Sequence, residues 1–206
     1  SLDNKKSLIF GDDTSGKTSL AFMLQRSANG LGIALYIKAE EIKKVDAENF
    51  KVLLIKKIKE QYCDCGFDVD DINANKNKII IIIDDFDLIN DKKKKIRQPL
   101  IEMIDSNFNN VIIFTNKSFE IEATTSSNIK DLFKNFNYFG IKQFGYILRD
   151  RLIDKWLTVG GMEKFSDNNE YLEKKEELSK KFKIAIGVRF IPIYPMYRYL
   201  NMHGFF

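Results

Sequence analysis

Gly11-Asp12-Asp13-Thr14-Ser15-Gly16-Lys17-Thr18 carries the strongest functional signal of this sequence. Its two glycines, with four residues between them, permit backbone angles closed to other residues, so successive N–H groups can point at phosphate oxygens. Lys17 supplies a compact positive charge for the outer phosphates, and the Thr18 hydroxyl is suited to ligate Mg²⁺. The run predicts a phosphate-binding loop, and we assign nucleotide binding to these eight residues and to Ser19.

The residues on either side of this loop supply the context that the pattern requires. The apolar residues 7–10 before it predict a short strand, and residues 17–27 after it have the apolar spacing of a helix. Strand, loop and helix therefore follow in the order typical of a P-loop NTPase.

Length and composition narrow the function classes. A chain of 206 residues is long enough for one well-buried core and a small additional subdomain. A net charge of +4 permits contact with nucleic acid without arguing for it. The only cysteines, Cys63 and Cys65, disfavour a zinc site and indicate a reducing compartment. Without a signal peptide or a membrane-length apolar run we expect a cytoplasmic protein, and Ser1 in place of Met predicts a piece of a longer one.

After the first helix, apolar strands alternate with helices. The segments 63–77 and 123–128 are polar and predict irregular structure, whereas the remaining part from residue 144 is helical. The alternation predicts a five-stranded parallel sheet flanked by helices. The predicted elements are strands at 33–37, 79–83, 111–114 and 137–141, and helices at about 46–62, 94–107, 144–157, 168–185 and from Pro192.

The strand at 79–83 ends in carboxylates. Five consecutive isoleucines indicate a strand buried on both faces, and Asp84 and Asp85 follow at its carboxyl end, where open α/β sheets place ligands. We assign Asp84 to the Mg²⁺ ion and Asp85 to the attacking water, with Lys17 as the other catalytic residue. Asp87 is an open alternative to Asp85.

The order of these elements resembles the additional-strand class of P-loop ATPases. In that class a further strand lies in space between the phosphate-loop strand and the acidic strand. The strand that ends at Thr115 and Asn116 is the candidate, and its polar end would lie beside the γ-phosphate and sense it.

With these residues in place, the chain resembles the STAND class, the signal-transduction ATPases with numerous domains, within the AAA-like and NACHT-like group. It is most similar to bacterial members that act in phage defence. The resemblance covers most of the chain and lies in segments 11–18, 34–37, 79–85, 111–117, 144–156 and 191–195.

The resemblance implies a switch module that binds ADP at rest and oligomerises when ATP replaces it. It implies an NTPase core at 1–143 and a truncated helical lid subdomain at 144–206, with effector and sensor domains outside this sequence. Pro195, with Pro192 as its rival, would approach the base and the sugar. Many relatives have an arginine after the sensor strand, where Lys117 stands here, and Arg149 or Arg151 could reach a nucleotide instead.

Three other hypotheses stay open. A DNA-dependent AAA-type ATPase, such as an initiator or loader, is motivated by the run Lys92–Lys95 and the positive charge. A small-molecule kinase would use the same loop but would need an arginine-rich lid, and the chain has only six arginines. A nucleotide-binding module without hydrolysis is disfavoured by the acidic pair.

Overall fold

The computed structural model describes residues 5–28, 31–62, 66, 68–89, 96–142, 146–159 and 165–187. The chain divides into two compact units, residues 1–141 and 142–206. The assignment of the first to nucleotide binding and of the second to a lid stays a prediction.

The first unit contains the predicted sheet. Its strands run in the spatial order β2-β3-β4-β1-β5, and every neighbouring pair is parallel. Because β4 lies between β1 and β3, the predicted additional-strand arrangement is confirmed. The strands are β1 Lys5–Gly11, β2 Ile33–Lys38, β3 Ile79–Asp84, β4 Asn110–Asn116 and β5 Asn137–Gly140.

Helices cover both faces of the sheet unequally. On one face of the sheet, α1 packs in a small apolar cluster that includes Ala21, Tyr36 and Ile82. On the other face, the remaining helices pack in a larger core that includes Leu54 and Leu100. The buried isoleucines of β3 contribute to both clusters, as their unbroken apolar run predicts. The helices are α1 Lys17–Ser27, α2 Ala47–Gln61, α3 Val69–Ala74, α4 Arg97–Asn107, α5 Lys117–Thr125 and α6 Ser127–Leu132.

Two segments predicted to be irregular are helical in part, at residues 69–74 and on either side of Ser126, so the predictions were wrong there. In the first, α3 begins with a capping box in which Asp68 and Asp71 accept each other's backbone N–H groups. In the second, α5 and α6 meet at Ser126. The amphipathic placement of Phe119 and Ala123 in the core outweighs the Ser, Thr and Asn composition that favours a loop.

The described part of the second unit contains α7 Tyr146–Thr158 and α8 Asn168–Gly187, at about the positions that the sequence predicted. Ile153 and Leu157 are buried, and aromatic side chains including Trp156 and Tyr171 pack around them. The predicted helix from Pro192 lies outside the described residues, and no helix in the described part of the chain is long and apolar enough to cross a membrane.

Candidate nucleotide site

The predicted phosphate loop joins β1 directly to α1. Thr14 and Gly16 adopt left-handed backbone angles, with φ of 63° and 93°, and the Ser15 N–H donates to the Asp12 carbonyl over 3.1 Å. No side chain caps the N-terminus of α1 among the described residues. The first N–H groups of α1 therefore face the loop unsatisfied by any side chain, the arrangement that favours an anion.

Gly11 and Ser15 show that the loop is closely fitted around its own backbone. A Cβ at Gly11 would lie 2.3 Å from Ser15 Oγ, so any other residue here would force the Ser15 side chain to move. The Ser15 side chain is 3% exposed, and its hydroxyl has no hydrogen-bond partner among the described atoms. A buried hydroxyl without a protein partner fits a loop that receives a phosphate oxygen.

Two lysines lie at this loop. Lys17 is 8% exposed, and its Nζ donates to the carbonyl oxygens of Gly11 at 3.1 Å and Asp12 at 3.0 Å. Lys117, at the start of α5, forms an exposed ion pair with the Asp12 carboxylate at 3.0 Å. Asp13 and Ser19 are exposed on the same loop and the following helix.

The two predicted metal ligands meet. The Thr18 hydroxyl donates to Asp84 Oδ2 over 2.6 Å, and Asp84 is fully buried. The same oxygen accepts from the Tyr36 hydroxyl at 2.9 Å, while Asp84 Oδ1 accepts from the Asp85 N–H at 3.1 Å. These donors are neutral, so they hold the carboxylate without cancelling its charge.

The oxygen ligands of Thr18 and Asp84 suit Mg²⁺, which takes few protein ligands and shares the remaining positions with water and phosphate. The described residues contain no group of three or more His, Cys, Asp or Glu side chains that could hold a metal ion.

Asp85 and Asp87 differ sharply in their surroundings. Asp87 Oδ1 accepts from Thr115 Oγ1 at 3.1 Å and from the Asn116 N–H at 2.9 Å, and Asp87 Oδ2 accepts from Asn116 Nδ2 at 3.0 Å. Within the described residues the Asp85 carboxylate accepts no hydrogen bond. Burial, together with the negative charges of Asp84 and Asp87, raises the pKa of Asp85. Its backbone is left-handed, with φ of 56°.

The predicted sensor residues lie at the end of β4, beside the loop. Asn116 pairs in register with Gly11, and Thr115 is fully buried. The Asn116 amide has two roles, because its Oδ1 caps α5 by accepting from the Phe119 N–H at 2.9 Å while its Nδ2 donates to Asp87.

Two site residues were missed from the sequence. Tyr36 lies near the carboxyl end of the buried part of β2, and this position was the only available signal. Arg97 donates from Nη2 to the Asp87 carbonyl over 2.6 Å, and its guanidinium lies 5.6 Å from the Phe119 ring centroid. Burial first, and then the charge and hydrogen bond of Asp84, raise the pKa of Tyr36, so it remains a protonated donor.

The structure does not test the remaining predicted contacts. Pro192, Pro195 and the run Lys92–Lys95 lie outside the described residues, and so does the side chain of Arg149. Arg151 is exposed on α7 of the second unit. Their assignments stay predictions.

Comparison with known proteins identifies the fold. No model of a protein family matches the chain, and no curated protein matches it. The Aeropyrum pernix ORC2 protein, solved in ADPNP and ADP complexes, matches with a TM-score of 0.50 and 12% identity, over 75% of this chain and 46% of that one. The replication initiator DnaA bound to AMPPCP and single-stranded DNA matches with a TM-score of 0.50 and 15% identity, over 89% and 55%.

AMPPCP-bound DnaA from Aquifex aeolicus is also similar, with a TM-score of 0.49 and 14% identity over 90% of this chain and 57% of that one. The chain thus spans about half the length of these solved structures. Neither of the two structures above with a TM-score of 0.50 is named as a STAND protein, and the predicted STAND assignment is not confirmed. The chain has the fold of AAA-type P-loop NTPases.

Proposed function

We propose that this chain is a nucleotide-binding and hydrolysing module that acts on ATP with Mg²⁺. The observation that carries the proposal is the 2.6 Å hydrogen bond between Thr18 and the buried Asp84, which joins the phosphate loop to the end of β3. The unpartnered Ser15 hydroxyl and the uncapped N-terminus of α1 support an anion in the loop. The adenine base is inferred from the solved structures with the same fold, which hold ATP analogues.

Each residue then has a role set by its geometry. The loop N–H groups and Lys17 bind the phosphates, and Lys17 would leave the Gly11 and Asp12 carbonyls to do so. Thr18 and Asp84 would hold Mg²⁺, which would supply positive charge to the bound phosphates. Asp85, with no competing hydrogen bond in the described structure, orients the water and accepts its proton. Thr115 and Asn116, at the end of β4 beside the phosphate loop, would sense the γ-phosphate.

Two more specific functions are a DNA-dependent ATPase and a STAND-type switch, and the DNA-dependent ATPase is the better supported. Both solved structures with a TM-score of 0.50 are named ORC2 or DnaA, and one is bound to single-stranded DNA. The net charge of +4 is compatible with weak electrostatic contact to a nucleic acid. The STAND-type antiviral switch, with ADP at rest and ATP-driven oligomerisation, is supported by the sequence resemblance alone and ranks second.

Nucleotide binding tests the proposal first. The purified chain is titrated with fluorescent ATP and ADP, with and without Mg²⁺, and any co-purified nucleotide is identified by mass after denaturation. We expect binding that Lys17→Ala weakens at least tenfold. Lys130→Ala, which removes an exposed lysine on α6, is the matched control and should bind as the wild type does. Equal affinity of the wild type and Lys17→Ala would refute the site.

Assays with single-stranded and duplex DNA distinguish the DNA-dependent ATPase from the STAND-type switch. Binding is measured at low salt, where electrostatic affinity is greatest, and hydrolysis is measured with and without DNA. Stimulated hydrolysis supports the initiator-type function. Undetectable DNA binding at low salt would refute it, and ATP-dependent self-association would then favour the STAND-type switch.

A further inference from the structure

The outer edge of β2 is closed by two side chains from the end of α2. In the described sheet β2 is an edge strand, so the N–H and C=O groups of Ala34 and Tyr36 face away from β3. Gln61 accepts from the Tyr36 N–H at 3.0 Å and donates to its carbonyl at 2.6 Å. The Tyr62 hydroxyl accepts from the Ala34 N–H at 3.0 Å and donates to its carbonyl at 2.8 Å. Two side chains thus satisfy the edge as a sixth strand would.

The Gln61 amide is itself fixed. Gln25 on α1 donates to Gln61 Oε1 over 2.6 Å, which orients the amide so that its nitrogen faces the Tyr36 carbonyl. Both backbone polar groups of Tyr36 are therefore held by Gln61 on the outer side of a strand that pairs with β3 on its inner side.

The Tyr36 side chain is held as firmly as its backbone. It is 7% exposed, and its ring lies 4.5 Å from the Phe22 ring, centroid to centroid. Its hydroxyl reaches Asp84 Oδ2 at 2.9 Å, the oxygen that also accepts from Thr18. The two hydroxyls approach one carboxylate oxygen from two different elements, β2 and α1.

A phenol in this place has a chemical advantage over a charged donor. A lysine or arginine would neutralise Asp84 and compete with a cation, whereas a neutral hydroxyl fixes the carboxylate and leaves its charge in place. When Thr18 gives its oxygen to a metal, Tyr36 remains as the fixed donor to Asp84. Partners of this kind typically change metal affinity 10- to 100-fold.

We infer that Tyr36 is a positioning residue for the metal site: it orients Asp84 so that Mg²⁺ is bound with the nucleotide, and Gln61 keeps Tyr36 in register. This inference rests on the proposed function. It adds a residue from β2 to a site that the phosphate loop and β3 supply.

The test uses Tyr36→Phe, which keeps the ring beside Phe22 and removes only the hydroxyl. Mn²⁺ serves as the probe, and its affinity for the protein with bound ADP is measured by electron paramagnetic resonance, so the readout does not depend on catalysis. We expect a 10- to 100-fold weaker Mn²⁺ affinity. Fluorescent ADP binding in EDTA should stay unchanged, as should the melting temperature within a few degrees.

Tyr62→Phe is the matched control, because it removes a tyrosine hydroxyl that touches the same strand but not Asp84. It should lower the melting temperature and leave Mn²⁺ affinity unchanged. In an Asp84→Asn background, Tyr36→Phe should add little, since it acts through Asp84.

The outcomes separate this inference from the proposed function. Unchanged Mn²⁺ affinity in Tyr36→Phe, while Lys17→Ala abolishes nucleotide binding, would overturn the inference and leave the proposed function intact. A full additional loss in the Asp84→Asn background would also overturn it. A wild type that binds no nucleotide would overturn both.

Discussion

Two clusters of carboxylates in this molecule are matched by different kinds of partner. The β3 aspartates are Asp84, at the end of β3, and Asp85 and Asp87, which follow it. Asp84 and Asp87 receive hydrogen bonds from hydroxyl and amide groups, the Asp85 carboxylate receives none, and the three form no ion pair among the described residues. The α7 aspartates, Asp150 and Asp154, share the ammonium group of Lys175 at 3.0 and 2.6 Å.

The difference also appears in the ionisation of the two clusters. Lys175, together with Tyr171, holds the pKa of Asp154 below its usual value, whereas burial and like charges raise the pKa of Asp85. A cluster with its own cation is a structural ion pair. A cluster held only by neutral donors keeps an excess of negative charge, and a site for Mg²⁺ needs that excess.

The largest effect that would test this contrast is expected from Asp85→Asn. If Asp85 orients and deprotonates the water, the turnover number should fall about 10²- to 10⁴-fold while ATP affinity is kept. The protein should also become more stable, because the substitution removes repulsion with Asp84 and Asp87, and asparagine tolerates left-handed angles well. We expect a melting temperature raised by about 1–3 °C.

Single-turnover hydrolysis and calorimetry measure the two effects of Asp85→Asn. The matched control is Asp70→Asn, an exposed aspartate on α3, which should change neither. A lower melting temperature of Asp85→Asn would argue that the β3 aspartates carry no uncompensated negative charge. Undiminished hydrolysis would remove Asp85 from the mechanism.

Asp87→Ala should have the opposite effect on stability. It leaves the buried Thr115 hydroxyl and two donors of Asn116 without their acceptor, which costs about 1–3 kcal/mol in the free energy of unfolding. That is a melting temperature lower by roughly 2–10 °C. Asp87→Asn keeps one acceptor oxygen and should lose less.

Hydrolysis distinguishes the two aspartates further. We expect Asp87→Ala to slow turnover less than Asp85→Asn does, since Asp87 acts through the end of β4. If a folded Asp87→Ala protein instead lost hydrolysis as completely as Asp85→Asn, Asp87 would be the residue that orients water, the alternative that the sequence left open.

The sequence predicted the parts of the site that local pattern encodes. The loop and its helix, the isoleucine run before Asp84, and the strand ending at Asn116 each have a strong local signal, and the parallel order then brings Thr18 to Asp84. The position of β4 between β1 and β3 was implied by the resemblance to the additional-strand class of P-loop ATPases.

The missed parts depend on contacts distant in sequence. Tyr36 and Asp84 are 48 residues apart, and nothing in an apolar strand distinguishes a tyrosine that packs from one that also donates to a carboxylate. The hydrogen bond between Thr115 and Asp87 joins residues 28 apart. Likewise α5 has a loop-like composition, and its stability comes from the Asn116 cap and from Phe119 in the core.

The smallest expected effect is the loss of stability from the ion pairs of the α7 aspartates as the pH falls. Since the pKa of Asp154 is lowered in the folded chain, its ion pair stabilises above the unfolded pKa, near 3.9, and this contribution is lost as pH falls through the lower folded value. The side chains of Asp150 and Asp154 are 55% and 37% exposed, so screening limits each pair to about 0.2–1 kcal/mol.

Trp156, the only tryptophan, lies on α7 and reports urea unfolding by fluorescence. The urea midpoint should fall between pH 7 and pH 3 in the wild type and change much less in Lys175→Met, which keeps the aliphatic stem without the charge. If the urea midpoint fell by the same amount in both proteins, Lys175 would not be the cation that compensates the α7 aspartates. The proposed contrast between these aspartates and the β3 aspartates would then be wrong.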